Sequence, residues 1–149
     1  MVKKVKVFLD SNVIVSGLFS ERGAPHIILH LLTLNLPVIS GATGAYNLME
    51  VERTIKKKMP EMLPLYNSWL PLLDLEVVPL PSIETIRTMA GLTADKDIPV
   101  LASAIACGAD YLVTGDKKDF GKLKSKDIFR TKIVSPAEFL KTISSFLAD

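Results

Sequence analysis

The chain has 149 residues, 48% of them hydrophobic, and a formal net charge of +2. This length and composition suit one domain with its own core and exclude a disordered chain, and the small net charge does not by itself indicate a nucleic-acid binder. No apolar run approaches the ~20 residues that span a bilayer, no signal segment opens the sequence, and Cys107 has no second cysteine to pair with, so we expect a cytoplasmic protein without disulfides or membrane spans.

Strand and helix patterns alternate along the chain. In chain order they predict a strand at 5–9, a helix at 26–35, a strand at 36–40, a helix at 45–58, a proline-interrupted helical stretch at 61–75, a strand at 76–80, helices at 82–92 and 97–108, strands at 111–115 and 131–135, and a helix at 136–147. Each strand is a nearly continuous apolar run, which is typical of a parallel sheet covered on both faces. We therefore expect one α/β domain over residues 1–149.

Acidic residues lie at the ends of the predicted strands. Asp10 ends the first strand, Asp116 follows the strand at 111–115, and Asp97 begins the helix that precedes that strand. Strand ends and the starts of the following helices share the carboxyl edge of a parallel sheet, where such folds bind ligands. We therefore expect these three acids to lie together, with Asp95 and Asp119 close by.

Convergence of these acids predicts a metal site. A single acid at such a position has an ordinary explanation as a helix cap worth ~1 kcal/mol. Two carboxylates ~5 Å apart, however, repel by roughly 3 kcal/mol at an effective dielectric of ~20, so three or four cost more than their caps return. A divalent cation removes this conflict, and oxygen ligands without cysteine or histidine favour Mg²⁺ or Mn²⁺ over zinc. Asp110 precedes a strand and is expected at the opposite edge, ~13 Å away.

A fourth acid is expected from the helix at 45–58, where Glu50 and Glu52 compete. The apolar stripe of that helix consists of Leu48, Val51, Ile55 and Met59. This stripe puts Glu52 near its edge and Glu50 roughly opposite. Periodicity alone leaves both glutamates open.

Four segments resemble the PIN domain, the nuclease fold of many prokaryotic toxin ribonucleases and of several RNA-processing enzymes. They are VFLDSNVIVSGL, LMEVERTI, DKDIPVLASAIACGADYLVTGDKKDF and IVSPAEFL, and together they extend over nearly the whole chain. The third is the most specific, because an acid, an alanine-rich helix, GADYLVTGD and a further Asp follow in the family's order and spacing. The resemblance implies a three-layer α/β/α sandwich around a mainly parallel sheet of 4–5 strands.

The resemblance also implies the composition of the site. Four acidic positions surround one or two Mg²⁺ or Mn²⁺ ions, and they match Asp10, Glu50, Asp97 and Asp116. Glu50 is preferred because family members follow this acid with an apolar residue, here Val51. The expected metal ligands are Asp10, Asp97 and Asp116. The matching supporting residues are the small polar Ser11, Asn12 and Thr114 and the auxiliary acids Asp95 and Asp119.

The predicted function is a metal-dependent endoribonuclease, most simply the toxin of a type II toxin–antitoxin pair. Its expected partners are RNA, an antitoxin protein and a second copy of the chain in a homodimer. Basic residues that follow the acids are candidates for contacting the RNA backbone, namely Lys117, Lys118, Lys122 and Lys124. Two other functions stay open: an RNA-processing nuclease, and a catalytically silent RNA-binding or protein-interaction module.

Two further enzyme classes are disfavoured by the residues around the first strand. A phosphotransferase that uses Asp10 as its nucleophile needs a second acid two residues later, where this chain has Asn12. A nucleotide-cofactor enzyme needs a glycine-rich phosphate loop after the first strand, and none is present in the sequence.

Overall fold

The computed structural model describes residues 4–116, 120 and 130–147. Within these residues five parallel strands form one sheet in the order β3-β2-β1-β4-β5. The strands are β1 (Val5–Leu9), β2 (Ile39–Gly44), β3 (Glu76–Val78), β4 (Tyr111–Val113) and β5 (Lys132–Val134). β1 is central, because Phe8 is paired with Ala42 of β2 on one side and with Leu112 of β4 on the other.

Seven α-helices lie in the described residues. They are α1 (Ser11–Phe19), α2 (Ala24–Thr33), α3 (Ala45–Lys58), α4 (Leu63–Trp69), α5 (Ile83–Thr88), α6 (Ile98–Ala106) and α7 (Pro136–Leu147). Short 3-10 turns at Pro60–Met62 and Leu70–Leu73 flank α4, as its prolines lead one to expect. None of these helices combines the length and apolar character needed to cross a membrane.

The sheet is buried on both faces. Val7 and Leu9 pack into one core with α1, α2, α3, α4 and α7, whereas Phe8 packs into a second core with α6. Alternate residues of a strand point to opposite faces, so this division places helices on each side of the sheet. The expected three-layer α/β/α sandwich with a parallel sheet is confirmed.

One sequence-based boundary near the site is wrong, and one helix there is missing from the prediction. The second strand was expected at 36–40 but lies at Ile39–Gly44, where small residues let helices approach closely. A Cβ at Gly41 would come within 2.6 Å of Leu75 and 2.9 Å of Leu32. The helix α1 was not predicted, because its Val and Ile residues favour strands.

Candidate acidic site

Asp10 lies at the carboxyl edge of the sheet, between β1 and α1. Its N–H donates to Val113 O at 3.0 Å, which continues the pairing of β1 with β4 by one residue. Its side chain caps α1 by accepting from Ser11 N. Only 6% of Asp10 is exposed, so its carboxylate is held within the protein at the point where the central strand ends.

Both carboxylate oxygens of Asp10 are held by hydrogen bonds. Oδ1 accepts from Ser11 N at 2.7 Å and from Asn47 Nδ2 at 3.2 Å. Oδ2 accepts from Thr114 Oγ1 at 2.7 Å and, at 3.5 Å, from Asn12 Nδ2. Each oxygen can accept about two hydrogen bonds, and the contact from Asn12 is long, so Oδ2 keeps capacity for a further partner.

Burial raises the pKa of Asp10 above its ordinary value, because the carboxylate is removed from water. The hydrogen bonds from Thr114 and Ser11 act in the opposite direction, and the nearby carboxylates of Glu50 and Asp116 raise the pKa further. Without a cation, the site therefore favours the neutral form of Asp10 more than water does.

Glu50 faces Asp10 across the start of α1. Ser11 Oγ donates to Glu50 Oε1 at 2.8 Å, and Asn47 Nδ2 donates to Ser11 Oγ at 2.9 Å. The buried face of α3 consists of Asn47, Val51 and Ile55, so it is rotated from the apolar stripe that the sequence suggested. Glu50 therefore lies at an edge of the buried face of α3, beside the site, and not opposite that face.

Glu52 lies in a different surface hollow of α3. The residues that line this hollow are Met49, Glu52, Arg53, Lys56 and Lys57. Two glutamates left open by periodicity thus occupy different environments: one contacts the serine next to Asp10, and the other lies among basic side chains.

A cavity of about 320 Å³ brings the four expected acids together. The residues that line it are Asp10, Ser11, Asn12, Val15, Ser16, Glu50, Thr54, Lys96, Asp97 and Asp116. The four carboxylates come from segments after β1, within α3, before α6 and after β4. The parallel sheet thus collects side chains that are up to 106 positions apart, from Asp10 to Asp116.

The remaining predicted site residues differ in their placement. Asp97 is buried at the end of a 3-10 turn, Asp95–Asp97, whereas Asp95 is exposed and is not among the described residues that line the cavity. Thr114 Oγ1 accepts from Asp116 N at 3.0 Å, which sets the path of the chain after β4. Lys117, Lys118, Asp119, Lys122 and Lys124 lie outside the described residues.

Asp110 lies at the opposite edge, as expected. Its carboxylate accepts from Lys6 N at 2.8 Å, next to the start of β4. This acid therefore has a structural contact away from the cavity.

Sequence reasoning missed several residues of the site, and Asn47 and Lys96 are the two whose polar groups matter most for the acids. Asn47 is fully buried and donates to both Asp10 and Ser11, and its only sequence signal is its position three residues before Glu50. Lys96 lines the cavity between Asp95 and Asp97, and a lysine flanked by acids gave no reason to expect it there.

The donor set suits a hard divalent cation, because carboxylate oxygens line one polar cavity. As the side chains stand, no group of three or more His, Cys, Asp or Glu in the described part of the chain is arranged to hold a metal ion. The residues thus fit Mg²⁺ or Mn²⁺ by their chemistry and shared location, although their side chains do not form a preorganised cage.

Comparisons with known proteins identify the fold. No family model and no curated protein matches the chain. Among solved structures, a chain of the DNA-bound VapBC2 complex from Rickettsia felis matches with a TM-score of 0.61 at 20% identity, over 88% of this chain and 98% of that chain. A toxin–antitoxin complex from Klebsiella pneumoniae gives 0.58 at 21%, over 87% and 97%, and DNA-bound VapBC from Salmonella typhimurium gives 0.61 at 17%, over 89% and 98%.

Proposed function

We propose that this chain, which has the PIN-domain fold of VapC toxins, is a metal-dependent endoribonuclease and the toxin of a toxin–antitoxin pair. The observation that carries the proposal is the shared cavity of Asp10, Glu50, Asp97 and Asp116. Four carboxylates that repel one another at the ligand-binding edge of a parallel sheet are a costly arrangement unless they serve a cation.

In this proposal Asp10, Asp97 and Asp116 hold one or two Mg²⁺ or Mn²⁺ ions. When bound, such an ion acidifies a water molecule and offsets the charge that develops on the phosphate during hydrolysis. Asp10 contributes Oδ2, the oxygen with remaining capacity, while Ser11 and Asn47 fix Oδ1.

Glu50 has the role of positioning the attacking water. The hydrogen bond from Ser11 fixes Oε1, which leaves Oε2 to accept a proton from the water as its oxygen bonds to phosphorus. The bond from phosphorus to the leaving oxygen of the adjacent ribose then breaks, that oxygen takes up a proton from solvent, and Glu50 releases its proton to solvent. One phosphodiester and one water molecule thus give two RNA ends.

The test is incubation of the purified protein with a pool of cellular RNAs, in Mg²⁺ or Mn²⁺ and in chelator, followed by mapping of the new ends. The proposal predicts discrete ends that need the metal and are absent with Asp10→Asn. Ends that persist in chelator, or that Asp10→Asn produces equally well, would refute it.

A catalytically silent module on the same fold is the second candidate, and one observation favours it: the carboxylates do not form a preorganised metal group among the described residues. A silent module would bind RNA or protein without cleavage at any metal concentration.

A processing nuclease is distinguished from a toxin by its substrates and by its effect on growth. A processing nuclease would cleave only precursor RNAs and would not arrest growth when expressed, whereas a toxin would arrest growth.

The partner proposed for the toxin is an antitoxin protein, as in the toxin–antitoxin complexes that share the fold. Co-expression of the protein encoded beside this chain is expected to relieve growth arrest, and that protein is expected to co-purify with the chain at a fixed ratio.

The homodimer is likewise a proposal. A mass of twice 16.3 kDa, measured by light scattering of the purified chain, is the result that supports it.

A further inference from the structure

The acidic cavity presents a charge problem to an RNA substrate. Four carboxylates line it, and one divalent cation leaves them with an excess of negative charge. An RNA strand carries a negative phosphate at each nucleotide, so a cationic side chain at the cavity favours binding of the strand. The lysines expected to contact RNA after Asp116 lie outside the described residues.

Lys96 is the one cationic residue among the described residues that line the cavity. Lys96 is exposed to solvent, whereas the adjacent Asp97 is buried, although both residues line the cavity. A side chain at this position reaches solvent and the cavity at once. This placement is suited to a ligand that enters from solvent.

The backbone of Lys96 is fixed relative to the acids. It lies within the 3-10 turn Asp95–Asp97, in which Asp97 N donates to Ala94 O at 2.9 Å. Tyr46 Oη donates to Lys96 O at 3.3 Å, and Tyr46 lies one helical turn before Glu50 on α3. The main chain of Lys96 is therefore hydrogen-bonded to α3, the helix that carries Glu50.

We propose that Lys96 is a substrate-binding residue whose ammonium group pairs with a non-bridging phosphate oxygen of the RNA strand beside the bond that is cut. This inference rests on the proposed function, since it takes single-stranded RNA as the ligand. The proposed contact is to the phosphate backbone of the RNA, so it does not depend on base sequence.

The test measures RNA binding with cleavage suppressed, in a chain that carries Glu50→Gln and keeps Asp10, Asp97 and Asp116 as the proposed metal ligands. A fluorescent single-stranded RNA of about 12 nucleotides is titrated in Mg²⁺ at several salt concentrations, with Lys96→Met, Lys96→Arg and Lys56→Met added in turn. Lys56 is the matched control, because it is an exposed lysine that lines the separate hollow of α3.

Lys96→Met is expected to weaken binding about three- to ten-fold at low salt and to lower the slope of log K against log salt by about 0.7, the value for one phosphate contact to a single strand. Lys96→Arg retains the slope, and Lys56→Met binds as the parent does. A purely structural role would change the melting temperature and leave the slope unaltered.

The experiment distinguishes failure of the Lys96 assignment from failure of the proposed function. If the parent binds RNA and Lys96→Met binds with the same affinity and slope, the assignment of Lys96 is wrong and the proposed function stands. If the parent binds no RNA at low salt, RNA is not the ligand, and both the assignment and the proposed function fall.

Discussion

Thr114 Oγ1 donates a 2.7 Å hydrogen bond to Asp10 Oδ2 across 104 positions of sequence and also accepts from Asp116 N at 3.0 Å. One buried hydroxyl group thus connects two of the four acids, and it does so because β1 and β4 are adjacent and parallel. This group connects the main chain at Asp116 to the carboxylate of Asp10.

Replacing this hydroxyl tests its role. Thr114→Val keeps the shape of the side chain but removes the hydroxyl group that donates to Asp10 Oδ2 and accepts from Asp116 N, which is expected to cost about 1–3 kcal/mol of unfolding free energy and to lower RNA cleavage. Thr114→Ser retains the hydroxyl and should keep most of the cleavage rate. Denaturant unfolding and cleavage rates check both variants, and a Thr114→Val protein with unchanged rate and stability would show that the contact has no role.

Asp10→Asn is expected to abolish cleavage and to stabilise the fold in the absence of metal. The pKa of Asp10 is raised by burial and then by Glu50 and Asp116, so ionisation of Asp10 opposes folding. A carboxyl group whose pKa is raised by folding contributes its full stabilisation when the pH is below its ordinary pKa of 3.8. This stabilisation is lost as the pH rises through the pKa of the group in the folded protein.

The melting temperatures of the two proteins, measured from acid to neutral pH without metal, check this prediction. The advantage of Asp10→Asn should be small at acid pH and grow toward neutrality to about 2–4 °C, which corresponds to about 1 kcal/mol for a chain of this size. An advantage that shrinks with rising pH has the wrong sign and would contradict the stated cause.

Glu50→Gln and Glu52→Gln form a matched pair on α3. Glu50 contacts Ser11 at the cavity, whereas Glu52 lines the hollow with Arg53 and Lys56. Loss of a water-positioning carboxylate lowers the rate by about 10²–10⁴-fold, so Glu50→Gln should lose at least ~100-fold while Glu52→Gln stays near wild type. Single-turnover cleavage of one RNA gives both rates, and the reverse ranking would transfer the role to Glu52.

Tyr66 offers a prediction about stability alone. Its ring is fully buried, and its hydroxyl has no hydrogen-bond partner in the described structure. Burial, followed by the charge of Glu52, raises the pKa of Tyr66 to about 12. Tyr66→Phe removes the buried polar group, so it should leave the unfolding free energy unchanged or raise it by about 1 kcal/mol at neutral pH.

The unfolding free energy measured at alkaline pH checks this prediction. The stabilisation that comes from the raised pKa of Tyr66 is full below its ordinary pKa of 10 and is lost as the pH rises through about 12. Wild type should therefore lose stability over this range relative to Tyr66→Phe. A variant that is destabilised by more than about 1 kcal/mol at neutral pH would mean that the hydroxyl does have a partner in solution.

The edge of the sheet at which the acids meet could be predicted from the sequence, because it depends only on strand order along the chain and on the right-handed crossover. Asp10, Asp97 and Asp116 reach the cavity for that reason, and Asp110 lies at the other edge. Asp95 shows the limit of this argument, since a position two residues away along the chain sends the side chain to solvent.

The orientation of α3 could not be predicted in the same way. Its buried face begins with the polar Asn47, so a stripe counted from apolar residues alone is turned away from Asn47 and toward Leu48. The second strand was misplaced for a related reason, since Gly41 and Gly44 have low strand propensity but allow close packing. In both places a tertiary contact, not local propensity, determines the structure.

The central claim is that the carboxylates form a divalent-cation site, and thermal melting in Mn²⁺ tests it most directly. At about 100 times the dissociation constant, binding adds about 2.7 kcal/mol, so wild type should gain about 5–10 °C. Asp10→Asn should lose this gain, and Asp110→Asn, altered at the opposite edge, should keep it. No gain at millimolar Mn²⁺, or an equal gain in Asp10→Asn, would contradict the account.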